Sequence, residues 1–141
     1  MFLALTDYKG IKANILSGLL ADDATREPIA QGYAIKTVIG YCSTRYNIQQ
    51  MLQVTGPARD ETLMEYIQAI SLYKIYQSAD PKFMPASREK DYNDTREFLK
   101  AISDGTMNMT SIWPVVKNED GQTETGIRAG GNEVANDCGG Y

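Results

Sequence analysis

The stretch Ala58–Ala79, ARDETLMEYIQAISLYKIYQSA, decides the fold. Leu63, Tyr66, Ile67 and Ile70 recur at helical spacing and give one apolar face. Leu72, Tyr73, Ile75 and Tyr76 then spread that face most of the way round. A helix that is apolar on nearly all sides lies at the centre of a domain. Gly56-Pro57 breaks the chain just before it and Asp80-Pro81 just after. Asp60 and Glu61 in the first turn and Lys74 near the last suit the helix dipole. The expectation is a buried helix of roughly twenty residues, about 30 Å long at a rise of about 1.5 Å per residue.

Toward the N-terminus, Ile35, Val38, Ile39, Cys42 and Tyr46 form a second helical stripe. Asp22-Asp23 offers its cap, and Pro28 must lie in the first turn or just before it. Gly32 and Gly40, on or beside the stripe, predict close helix–helix approach. Ile15, Leu16, Leu19 and Leu20 predict a short amphipathic helix over Asn14–Ala21. Thr6 or Asp7 can cap a further short helix, DYKGIK, and Met1–Leu5 can be extended.

Between the two long helices, Asn47–Pro57 reads as a connector whose helical turn lays Ile48, Met51, Leu52 and Val54 on the core. Beyond the central helix, Pro81 and Pro85 bracket a loop that tucks in Phe83 and Met84. Ser87 is the expected N-cap of the last helix. Tyr92, Thr95, Leu99 and Ile102 make its inner stripe, flanked by Phe98, and Gly105 is its left-handed end. The fold class is therefore all-α, a bundle of four to five helices.

After Gly105 the chain becomes rich in Gly, Asn, Thr and acidic residues. This divides it into a helical domain, 1–105, and an extended tail or docking arm, 106–141. The tail's apolar island is Ile112, Trp113, Pro114, Val115 and Val116, with Ile127 and Tyr141 further on. These are the candidate partner-binding residues. A short strand over Thr123–Ile127, or a hairpin between Val115 and Ile127, would let the arm extend a partner's sheet edge. The alternative is that the tail folds back on its own bundle.

Composition narrows function. The formal charge is −4, and no basic stripe is present to neutralise nucleic-acid phosphates. The chain has neither an apolar run of membrane-spanning length nor a charged n-region leading into an apolar one, so no spanning helix or signal peptide is expected. Histidine is absent, which removes the commonest general base and metal ligand. Cys42 and Cys138 are far apart; Cys42 reads as a small core residue, and a reducing compartment is the simpler setting. Asp22/Asp23, Asp60/Glu61 and Glu119/Asp120 are adjacent pairs, which do not face each other on a helix. No enzyme, cofactor or metal site is expected. The nine tyrosines fit either core-edge packing or a subunit interface.

Five pieces of the chain together resemble the Mu-like bacteriophage neck proteins, small helical head-completion (head–tail connector) proteins. They are FLALTDY near the start; GYCSTRY, with Arg45 and Tyr46; TGPARDETLMEY, with Gly56, Arg59 and Leu63; AISLYKIY, with Leu72 and Tyr73; and the pattern from Arg88 through Tyr92, Leu99, Lys100 and Ile102 to Gly105. The resemblance covers about Met1–Gly105. It implies a structural protein with no cofactor, forming a homo-oligomeric ring, typically a dodecamer, beneath the portal protein at the virion neck. Such a ring assembles in the host cytoplasm, extends the channel for double-stranded DNA without reading its sequence, and gives tail or neck proteins a platform. It also implies structural roles for Arg45, Tyr46, Arg59, Tyr73, Tyr92, Leu99 and Gly105. Arg45 and Arg59 would close two sides of one connector loop by bonding loop carbonyls or a helix-end carboxylate. The other readings are a non-viral helical adaptor that binds a partner through its tail, and a helix-turn-helix DNA binder, which fits the size but not the charge.

Overall fold

A computed structural model describes residues 2–116. Five α-helices form among them: α1 (Ala13–Leu20), α2 (Arg26–Cys42), α3 (Ile48–Leu52), α4 (Glu61–Ala79) and α5 (Ala86–Asp104). The fold is an all-α bundle. Helix α4 is its centre and packs against α2, α5 and α1. Asp60 caps it, accepting the Leu63 N–H at 2.7 Å. Leu63, Ile67, Ile70, Leu72 and Ile75 are all fully buried, so α4 meets neighbours on several sides.

Helix α2 presents a different face from the one its large apolar residues mark. Its buried side runs Glu27, Ala30, Gln31, Ala34, Val38, Cys42, while Ile35 and Ile39 are only half-buried. Two polar side chains, Glu27 and Gln31, go inward because each finds buried hydrogen bonds. The small residues against the core are Ala30 and Ala34, not the glycines. A Cβ at Gly32 or Gly40 would meet nothing within 4 Å, so neither glycine mediates a close approach.

Other local expectations are corrected. DYKGIK is not helical: a 3-10 turn covers Leu5–Asp7, Tyr8 is extended, and Gly10 takes a positive φ of 74°. Asp7 instead closes that turn by accepting the Ala4 N–H at 2.7 Å. Helix α5 starts one residue earlier than Ser87, after an extended Pro85, and Ser87 caps nothing. Phe83 is 73% exposed, because the tight 3-10 turn Pro81–Phe83 directs it outward.

The boundary expected at Gly105 also moves. Residues 106–116 fold back on the bundle, with Met109 and Trp113 buried in the common core and Met107 and Val115 packed against it. The compact unit therefore includes residues 106–116. The expected strand over Thr123–Ile127 lies outside the described residues. Among those described, no helix is long and apolar enough to cross a membrane.

Candidate interaction surfaces

Two apolar-polar residues position the end of the fold. Tyr46 is 1% exposed, and its hydroxyl accepts the Met109 N–H at 2.8 Å. Its ring meets Trp113 edge-on at 5.6 Å. The Trp113 indole N–H donates to Asp60 Oδ2 at 3.0 Å, the same oxygen that caps α4. The following backbone pairs antiparallel with the end of the α2 connector. The Pro114 carbonyl accepts the Asn47 N–H at 2.8 Å, Val115 bridges Tyr46, and the Val116 N–H donates to the Arg45 carbonyl at 3.1 Å.

Trp113 is thus buried in its own bundle, while Pro114, Val115 and Val116 are half-buried beside it with their backbone paired to residues 45–47. An indole with a bonded N–H and two aromatic neighbours is better satisfied inside than at a free surface. Ile112 alone of that island stands out, 61% exposed. Ile127 and Tyr141 lie outside the described residues.

The residues carrying the family resemblance meet in pairs. Arg59, in the TGPARDETLMEY piece, donates to the Gly56 carbonyl of its own loop at 2.7 Å. It also bonds the Phe2 carbonyl at 2.6 Å and both carboxylate oxygens of Asp7 at 2.8 and 3.1 Å, in the FLALTDY piece. The Arg59 hydrogen bond, then the Ala4 N–H, hold the Asp7 carboxyl below its ordinary range. Arg45, in GYCSTRY, lays its guanidinium on Gly105, where a Cβ would come within 2.6 Å of Nη2. Tyr73, in AISLYKIY, stacks on Tyr92 with ring centroids 4.0 Å apart and planes 9° off parallel. Leu99 is fully buried.

A buried polar network escaped sequence reasoning. Gln31 Oε1 accepts the Leu3 N–H at 2.8 Å, and its Nε2 donates to the Leu3 carbonyl at 3.1 Å and to Glu27 Oε2 at 2.6 Å. The Tyr8 hydroxyl donates to the same Glu27 oxygen at 2.7 Å. Burial, then the adjoining Glu27 carboxylate, push the Tyr8 hydroxyl well above the usual phenol range. This network ties the N-terminal segment to α2. A cleft of about 540 Å³, lined by Leu5, Ile11, Leu16 and Leu20 among others, opens beside Glu27 and Tyr8.

A second cluster lies where α2, α4 and α5 meet the surface. Lys74 sits 4.1 Å from the ring centre of Tyr33. Arg96 donates to the Tyr92 hydroxyl at 3.2 Å and to the Tyr41 hydroxyl at 3.0 Å. The only sequence sign of it was the abundance of tyrosine. Among the described residues, no three potential metal ligands converge. Comparison with known proteins finds no match to a family model, to a curated protein or to a solved structure.

Proposed function

We propose that the chain is a structural subunit of a phage head–tail connector. In this reading it forms a homo-oligomeric ring beneath the portal protein, extends the DNA channel and carries tail or neck proteins. It performs no chemistry, and its place is the neck of the virion. The observation that supports this most is the pairing of the resemblance's own pieces. Asp7 with Arg59, Arg45 with Gly105, and Tyr73 with Tyr92 join segments far apart in sequence. These contacts are consistent with the five pieces acting together in one fold, and that supports reading them jointly.

The test is the particle mass of the purified full chain, measured alone and mixed with its portal protein. A discrete ring-sized oligomer, formed alone or on the portal, is the expected result. A monomer in both samples, with no complex, would overturn the reading.

A further inference from the structure

We propose that the surface formed by Tyr33, Tyr41, Lys74 and Arg96, over the buried Tyr92 ring, is the docking site for this chain's own acidic C-terminal segment, residues 117–141. The surface carries two cations set among aromatic rings. Among the described residues neither cation has a carboxylate partner; the ion pairs are Asp22–Arg26, Asp7–Arg59 and Lys90–Asp94. Arg96 is held instead by two tyrosine hydroxyls, which orient it without neutralising it. A cavity of about 390 Å³ is lined by Tyr33, Lys74, Arg26, Asp23 and Ile29, the last 69% exposed, so it holds two cations against one carboxylate. The site therefore fits an extended chain that alternates carboxylates with a few apolar side chains.

Residues 117–141 have that composition. They carry Glu119, Asp120, Glu124, Glu133 and Asp137 against only Lys117 and Arg128, with Ile127, Val134 and Tyr141 between. The segment also starts in the right place. The chain is fixed at Val116 by its bond to Arg45, four residues beyond Tyr41. From there 25 residues can span about 80 Å, far more than the roughly 12 Å of helix between Tyr41 and Tyr33. Tethering raises the local concentration of the segment to the millimolar range, which favours its own chain over a free competitor.

The experiment uses the full chain with a nitroxide on Cys138. Cys42 is buried, and burial raises its thiol to about 12, so it resists the label. A Cys138→Ser protein, which should take up no label, checks this. In the isotope-labelled, spin-labelled protein, amide resonances around Tyr41, Lys74 and Arg96 should broaden. The broadening should fade as salt rises to about 0.5 M, since screening weakens exposed charge pairs. It should also fade in Lys74→Gln and Arg96→Gln, whereas the salt series needs no variant. No broadening at these residues, or broadening indifferent to salt, would overturn the proposal. So would broadening that appears only when isotope-labelled Cys138→Ser protein is mixed with spin-labelled protein, because the occupant would then be a second copy. Displacement of the segment by a single-stranded oligonucleotide at lower concentration than by a free peptide of residues 117–141 would also overturn it, in favour of a nucleic-acid site.

Discussion

Asp60 and Arg59, adjacent in sequence, hold together three segments that are distant in sequence. Asp60 caps α4 and pins Trp113, and Arg59 ties its loop to Phe2 and Asp7. The Asp7–Arg59 pair is largely shielded, with side chains 18% and 14% exposed. Because the folded-state carboxyl of Asp7 is lowered, its contribution is present above the unfolded value near 3.9 and is lost as pH falls through the folded value. Asp7→Asn should therefore lower the melting temperature at pH 7. The gap from the parent protein should begin to narrow as pH falls below about 4. Thermal melts from pH 3 to 7 measure this, and a gap constant over that range would show that the carboxylate charge is not what matters. At this scale the sequence was informative about residue type and silent about partners. Trp113 was legible as an anchor, because a lone Trp beside Pro in a polar stretch has few other uses. That its indole would bond a helix cap 53 positions earlier was not. Nor was Gln31, since a glutamine beside large apolar residues reads as solvent-facing until the Leu3 backbone is known to lie against it.

Helix α4 was readable in sequence because its apolar residues surround it, so no choice of face could be wrong. Ile67 is fully buried there, and Ile67→Asp places an unpaired charge in the core. The cost of several kcal/mol compares with a total stability of roughly 5–15 kcal/mol, so a cooperative melt close to that of the parent would show the core to lie elsewhere. Helix α2 was harder, because its marked stripe and its buried face differ by a fraction of a turn. The glycines make that difference measurable. At Gly32, in mid-helix with open space around a would-be Cβ, alanine should stabilise by about 0.5–1 kcal/mol through helix propensity. At Gly105, φ is 89°, a left-handed conformation that alanine adopts under strain, and the Arg45 guanidinium would also have to move aside for a Cβ, so alanine should destabilise by about 1 kcal/mol. Denaturant melts of Gly32→Ala and Gly105→Ala read the two signs. Destabilisation by Gly32→Ala would restore the close-approach role that its position on the stripe suggested.

The extent of the compact unit is the property of the whole molecule that sequence placed wrongly. Composition changes at Gly105, but packing does not end there. The reason is that a polar stretch can be carried into a core by two or three large side chains. Met109 and Trp113 fill the end of the bundle, and three backbone contacts at residues 114–116 hold them there. Two truncations separate the alternatives. A chain ending at Gly105 loses Met109 and Trp113, leaving the Tyr46 hydroxyl without the Met109 N–H and the Asp60 carboxylate with only its capping bond to Leu63. Removal of a buried Trp alone costs about 3–5 kcal/mol, a large share of the roughly 5–15 kcal/mol available. That chain should melt far below the parent or lose its cooperative transition. A chain ending at Val116 keeps every one of these contacts and should keep a cooperative melt close to the parent's. If the two truncated chains melt alike, Trp113 contributes little to the bundle. The island Ile112–Val116 would then again be free to serve another protein.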